Sequence, residues 1–351
     1  MTSSGEAPRF YTAEDRVLAA HHQVALLIEL AMSRNIAEDR LLRNTGLFPS
    51  DIRNASQKLS ASAFRRLITN VSGMDSSSAL NLLWGSQLFP GHYGSPSTLL
   101  AHSGNLMAFL ETLVRFRFFL CPFMAPNLVK DDQWTYLYWT DAGGLGKAKP
   151  FVVTALMSGV RSASNWLAGR TLPWQIYLKQ PQPKNTSEYL VAFGETLRFS
   201  AGIDLMRIES RALFEPWKNV SELVRASVLS ESAELLNNAQ PAHGLPELVY
   251  RVILSDPANF RSLSVVSDYL GTSPATLKRR LKECETSYQI IYDEARLHLS
   301  LYQFYVKGWS HDEVAKWLEC CDSANFRRMF KRWTGLTPTE YRSRFRFGTT
   351  Q

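Results

Sequence analysis

The sequence predicts an α+β chain: a mixed, helix-rich N-terminal domain followed by an all-α domain with two helix-turn-helix units. Three observations carry this expectation. The 351 residues exceed a single small module and suit two domains. The stretch NNAQPAHGLP at 237–246, with two Asn, two Pro and a Gly, reads as a linker. Beyond it, two basic segments repeat, each after a short apolar helix. The expected organisation is a domain over 1–236, a linker over 237–246 and a second domain over 247–351.

In the first domain, Glu14–Met32 carries Val17, Leu18, Val24, Leu27, Ile28 and Ala31 at the spacing of one helix face. Ser60–Val71 and Ser76–Trp84 read as two more helices. Leu99–Cys121 reads as one long apolar helix, and Phe151–Leu167 returns to helical spacing. Trp134–Thr140 alternates aromatic and polar residues as a strand does. Pro173–Leu178 reads as a strand and Ser187–Phe193 as a short helix. Thr196–Phe199 and Leu205–Glu209 read as two short strands joined through Gly202. Few strands among many helices make the class α+β.

The second domain reads as seven helices, near 245–255, 262–270, 274–283, 287–306, 311–318, 323–333 and 338–345. Thr276–Lys282 (TLKRRLK) aligns with Asn325–Lys331 (NFRRMFK) at an offset of 49 residues. The apolar residues before them, Val266 with Val314 and Leu270 with Leu318, align at 48, so the second turn is one residue longer. Gly271 suits a positive φ in the first turn, Ser273 a helix cap and Pro274 a first helical position. Asp322 or Ser323 caps the second copy. Leu277, Leu281, Phe326 and Phe330 face inward. Lys278, Arg279, Lys282, Arg327, Arg328 and Lys331 stay outside.

Net charge is +7, from 39 Lys+Arg against 32 Asp+Glu. A single basic run on a helix is usually a solvated face. Two matched runs after matched turns instead imply an anion opposite both, because cations near a helix start oppose its dipole. Helix-turn-helix units put the second helix into a DNA major groove, where Arg and Lys meet guanine edges or phosphates. The central helix, about 20 residues and about 30 Å long, suits two reading heads one DNA turn apart.

Composition excludes other classes. With 45% hydrophobic and 20% charged residues, the chain is neither disordered nor collagen-like. Its most apolar run, Phe116–Met124, is too short for a membrane span and is broken by Pro122. MTSSGEAPRF carries no apolar signal segment, and four Cys form no disulfide framework. These features predict a cytoplasmic, reduced protein without membrane contact.

Residues 245–345 resemble the DNA-binding domain of AraC/XylS-type regulators. The carrying residues are Leu263, Val266, Leu270-Gly271, Ser273, Leu277, Arg279, Leu281-Lys282, Arg296 and the run FKRWTGLTPTEYR from Phe330 to Arg342. The resemblance implies base contacts at Ala275, Lys278 and Arg279, with Thr276 beside them. In the second copy it implies Ser323, Ala324, Asn325, Arg327 and Arg328. Lys282 and Lys331 suit phosphates. The chain departs from the pattern where Glu319-Cys320 replaces Gly and an aromatic, and where Glu285 replaces Gly. A Glu at a position preferring positive φ costs about 1 kcal/mol or more, so the second turn is expected to bend differently.

Residues 35–225 resemble the arabinose-binding-like N-terminal domain of an AraC subgroup, through Gly91–Leu100, Asn105–Phe118 and FGETLRF…ALFEP. That resemblance implies a sensor and dimerisation module, hence a homodimer that binds promoter DNA, contacts RNA polymerase as an activator and responds to a small-molecule effector. Six of the nine Trp lie here. Trp134, Tyr136 and Tyr138 suit a pocket wall or plain core packing, and Arg161 or Arg170 suits an anionic anchor or a plain surface role. An alternative is a regulator without a ligand, controlled by its abundance; another is an N-terminal enzyme fused to a DNA-binding tail.

No catalytic set, metal site or cofactor is expected. His21-His22 lacks partners at zinc spacing. Gly143–Lys147 lacks the spacing and the Ser/Thr of a phosphate loop. The adjacent Cys320-Cys321 reads as a packed or half-exposed pair.

Overall fold

The computed structural model describes residues 10–19, 22–54, 57–74, 79–218, 220–239, 243–320 and 322–345. They form two compact units. One lies within Glu14–Asp141 and Leu145–Pro241; the other lies within Ala242–Gln351 and takes in short segments of Met1–Ala13 and Ala142–Gly144.

The N-terminal unit is α+β. Its main sheet holds β1 (Met124–Lys130), β2 (Trp134–Asp141), β3 (Gln175–Tyr177), β4 (Leu197–Arg198) and β5 (Leu205–Glu209), in the spatial order β1-β2-β5-β3-β4. β1 and β2 pair antiparallel from Met124 opposite Asp141 to Lys130 opposite Thr135. Asp131 closes their hairpin, its Oδ1 accepting from the amides of Gln133 (2.8 Å) and Trp134 (2.6 Å). β1 escapes the sequence reading because Pro126 sits within it; as an edge strand it tolerates the missing donor. β3 lies between β4 and β5, so the two short strands flanking Gly202 are not paired with each other.

Helices pack around this sheet at Gln23–Ser33, Ala61–Met74, Ala79–Ser86, Ser95–Ala101, Leu106–Arg115, Lys149–Ala168 and Ser187–Phe193. The stretch expected as one helix over 99–121 is broken twice. Asn105 restarts the helix, its side chain accepting from the Ala108 amide at 2.9 Å, and Phe116 ends that segment before a short helix Arg117–Leu120. The helix expected over Glu14–Met32 is likewise a strand Arg16–Ala19, paired with Lys58–Ser60, followed by the helix Gln23–Ser33. Trp84, Phe64, Phe109, Phe116, Trp174 and Phe193 are fully buried. Trp84 donates its indole N–H to the Gln23 carbonyl at 3.0 Å, so the largest core side chain leaves no orphan donor.

One helix crossing depends on a missing side chain. A Cβ on Gly85 would stand 2.2 Å from the Ala155 carbonyl oxygen. Only glycine lets the helices Ala79–Ser86 and Lys149–Ala168 approach this closely.

In the C-terminal unit the described residues form helices at Leu245–Ser255, Leu263–Tyr269, Pro274–Glu283, Tyr288–Tyr305, His311–Trp317, Ser323–Thr334 and Pro338–Arg344. Ser262, Ser273, Ser287, Ser310, Asp322 and Thr337 each cap the helix that follows, accepting from the third amide inside it. The helix Glu222–Ala239 of the N-terminal unit runs three residues into 237–246, and the next helix starts at Leu245.

The two motifs have different cores. The first is mainly aliphatic: Leu248, Val249, Val252, Ile253, Val266, Leu270, Leu277, Leu281 and Ile291, with Phe260. The second is aromatic. Phe304 of the central helix packs 6.0 Å from Phe326 and 5.8 Å from Phe330, and Phe330 lies 5.4 Å from Tyr341 (ring centroids).

Candidate nucleic-acid interface

Each basic helix is fixed by one buried face. In the first, Leu277 and Leu281 are buried, four residues apart. The rotation of 100° per residue then turns Ala275, Lys278, Arg279 and Lys282 to solvent, with Thr276 half-buried. The Thr276 hydroxyl lies 2.8 Å from that of Ser273. Arg280 faces sideways, its guanidinium 5.6 Å from the Phe10 ring centroid. In the second helix Phe326 and Phe330 are buried, while Ala324, Arg327, Arg328 and Lys331 are exposed and Ser323 and Asn325 half-buried. Ser323 donates to Asp312 of the preceding helix.

The charges on this face are largely uncompensated. Arg279 pairs with Glu283, one turn on, at 2.5 Å. Among the described residues, no carboxylate lies within ion-pair distance of Lys278, Lys282, Arg327, Arg328 or Lys331. Arg332, by contrast, is committed to the scaffold: its Nη2 reaches both oxygens of Asp293 on the central helix, at 3.0 and 2.9 Å. The basic cluster at 327–332 therefore divides into three outward cations and one structural one.

The two turns share a hydrogen-bond pattern. In the first, Gly271 N–H donates to the Asp268 carbonyl and Thr272 N–H to that of Ser267; in the second, Glu319 donates to Lys316 and Cys320 to Ala315. Gly271 and Glu319 both have positive φ, +64° and +50°. The second turn thus bends as the first does, despite its glutamate, and takes up its extra residue before the Asp322 cap. The left-handed Glu285 (φ +47°) fills the other departure from the family pattern in the same way. Cys321 lies outside the described residues. Cys320 is half-buried, and the Arg296 guanidinium stands 3.1 Å from its sulfur and donates at 3.1 Å to the Leu318 carbonyl. Arg296 also faces the rings of Tyr292 (5.4 Å) and Trp333 (5.8 Å). One central-helix side chain thereby ties the second turn to the second basic helix.

The central helix has 18 residues, about 27 Å at 1.5 Å per residue. That is slightly shorter than the sequence expectation and still comparable to the roughly 34 Å between successive major-groove faces.

In the N-terminal unit, Trp134, Tyr136 and Tyr138 share one face of β2. They meet a residue that sequence reasoning passed over: Arg207 of β5, which pairs in register with Tyr136 on one side and Gln175 on the other. The Arg207 guanidinium stacks 4.0 Å from the Trp134 ring centroid and donates to Gln175 Oε1 at 2.8 Å. Tyr136 bonds Asp131 at 3.2 Å, and burial with the nearby Asp131 charge pushes its phenol up. An Arg at a central, inward strand position was the available signal. Arg161 is placed elsewhere. It lines a groove of about 540 Å3 between helices, and none of the three aromatics does. Its Nη1 donates to the Ala192 carbonyl at 2.8 Å. Among the described residues no group of three or more His, Cys, Asp or Glu is arranged to hold a metal; His21 lies outside them. No helix among them is long and apolar enough to cross a membrane.

Residues 36–217 match the model of the arabinose-binding N-terminal domain of AraC transcription regulators, and residues 266–344 match a helix-turn-helix domain model. The ornithine utilization regulator of Pseudomonas aeruginosa is 26% identical over 317 residues, 90% of this chain and 94% of that protein. The regulator GadX of Escherichia coli is 34% identical over 110 residues, 31% of this chain and 39% of its own. The crystal structure of the regulator CdpR from Pseudomonas aeruginosa covers 91% of this chain and 96% of its own, at 17% identity and a TM-score of 0.44. With the arabinose-binding domain model of AraC regulators matched over half the chain and a doubled helix-turn-helix behind it, the protein belongs to the AraC family of transcription regulators and is not an enzyme.

Proposed function

We propose that the protein binds promoter DNA through both basic helices at once. Ala275, Thr276, Lys278 and Arg279 of the first helix, and Ser323, Ala324, Asn325, Arg327 and Arg328 of the second, face base edges; Lys282 and Lys331 face phosphates. The observation that carries this reading is the pair of outward faces on which five of the six cations form no ion pair among the described residues. Isolated like charges on a folded surface repel one another, and a polyanion removes that cost while releasing its own counterions.

The reading extends to a homodimer that activates transcription by contact with RNA polymerase in the cytoplasm, and whose N-terminal unit responds to a small-molecule effector. Support for self-association comes from the helix Glu222–Ala239: of its 18 residues only Ser232 is buried, and Leu223, Val224 and Leu235 are exposed. Effector binding would raise the melting temperature by mass action. A panel of amino acids, polyamines, sugars and short carboxylates tests it, with ornithine as a natural first member given the relative named above. A panel without effect on either melting or DNA affinity leaves the abundance-controlled regulator. The DNA reading is tested by salt titration of binding: the slope of log affinity against log salt corresponds to several phosphate contacts, and a flat dependence refutes it.

A further inference from the structure

The groove around Arg161 carries a second, more specific reading. We infer that it binds a small molecule bearing a single carboxylate on an apolar chain. This rests on the reading of the N-terminal unit as effector-responsive, and adds the place and the ligand class.

The groove lies between the helices Ala79–Ser86 and Lys149–Ala168, and the helix Ser187–Phe193 closes a third side. Its volume of about 540 Å3 falls in the range of small-molecule sites. Leu82 and Leu83 form one wall, Val191 and Ala192 another. Leu83 is 42% and Val191 85% exposed, so apolar surface that a bound chain would cover is left to water. Arg161 is the one cation lining the groove. Its Nη1 is taken by the Ala192 carbonyl, and its buried Nε has no hydrogen-bond partner among the described residues. Burial also draws the guanidinium below its ordinary pKa, as desolvation does to a cation. A carboxylate is the planar acceptor that a guanidinium fork recognises, with charge-assisted hydrogen bonds.

Glu188 lines the same groove and narrows the choice. Its negative charge opposes a dianion such as a phosphate monoester, leaving a monoanion. The same carboxylate would meet the ammonium of an amino acid. Two sources therefore share the required chemistry, a short fatty acid and an aliphatic amino acid.

Calorimetric titration of the full chain with octanoate, norleucine and 1-octanol tests the inference. We expect octanoate or norleucine to bind, 1-octanol to bind at least about tenfold more weakly, and both Arg161→Gln and Val191→Glu to weaken binding about tenfold or more. Octanoate ahead of norleucine identifies the fatty acid; the reverse identifies the amino acid. Val191→Glu changes an exposed side chain, so it keeps the test informative if Arg161→Gln fails to fold. The inference is overturned if neither acid binds at about 10 mM, if 1-octanol binds as tightly as the tighter-binding acid, or if Val191→Glu leaves affinity unchanged. A different metabolite that stabilises wild type and Val191→Glu equally overturns the groove but keeps the effector reading. A wider panel with no binder removes both.

Discussion

Gly271 and Glu319 hold the same left-handed position in turns 48 residues apart, at φ +64° and +50°. Glycine adopts that conformation freely; glutamate is strained there by about 1 kcal/mol. The Glu319 carboxylate is held at 2.5 Å by Arg261, at the entrance to the first motif. The second turn thus keeps the backbone of the first and uses its side chain to reach the other motif. Replacing Glu319 by Gly removes both strain and tether, so denaturation should show stability unchanged or slightly raised. Replacing it by Val puts a β-branched residue at positive φ and should cost about 1–2 kcal/mol. A Val variant as stable as the Gly variant would mean that the turn does not require the left-handed conformation.

Arg296 fastens the second turn through the Leu318 carbonyl and the Cys320 sulfur. A lysine there keeps the charge but loses the planar fork and the stacking on Tyr292 and Trp333. Arg296→Lys should cost about 1–3 kcal/mol and weaken DNA contacts of the second motif more than those of the first. Footprinting measures the two motifs separately; equal losses at both would place the effect in global stability alone.

His311 opens the first helix of the second motif, 5.4 Å from the Phe304 ring. Burial holds its pKa below the ordinary 6.5; Arg342 and Arg327 reinforce this, and Asp312 opposes it weakly. The unfolded chain therefore takes up this proton at a higher pH than the folded one. Stability is full above about pH 6.5 and falls as pH drops from there through the folded-state pKa. Melting of wild type and His311→Gln from pH 7.5 to 5 should show a shallower acid decline in the variant. Identical slopes would assign the decline to other groups.

Arg279 and Lys331 are proposed to make two different kinds of DNA contact. Arg279→Ala should weaken specific binding by about 1–3 kcal/mol and relax sequence preference. Lys331→Ala should weaken binding to all sequences alike and reduce the salt slope by about 1. A Lys331→Ala loss confined to one sequence would contradict its phosphate role.

Much of the C-terminal unit was legible in the sequence because its signals are local. Ser273 with Pro274, and Asp322, mark helix starts, and apolar pairs four apart mark the buried faces. The helices Leu245–Ser255 and Pro274–Glu283 fall where periodicity puts them. The N-terminal unit resists such reading because its order is set at long range. β1 carries a proline that only an edge position excuses, and the apolar run 99–121 hides the Asn105 cap that splits it. Trp134, Tyr136 and Tyr138 announce themselves as an aromatic face, but their partner Arg207 comes from a strand some seventy residues on. Nor does helical spacing reveal that Arg161 opens onto a groove; that depends on three helices, distant in sequence, lining one space.

Both basic helices are expected to engage one DNA segment together. Selection of bound sequences from random duplex DNA with the full chain should then enrich two preferred blocks with centres about 10–10.5 base pairs apart, one blurred by Arg279→Ala and the other by Arg327→Ala. A single block insensitive to one of these variants, or no sequence enrichment at all, would contradict it.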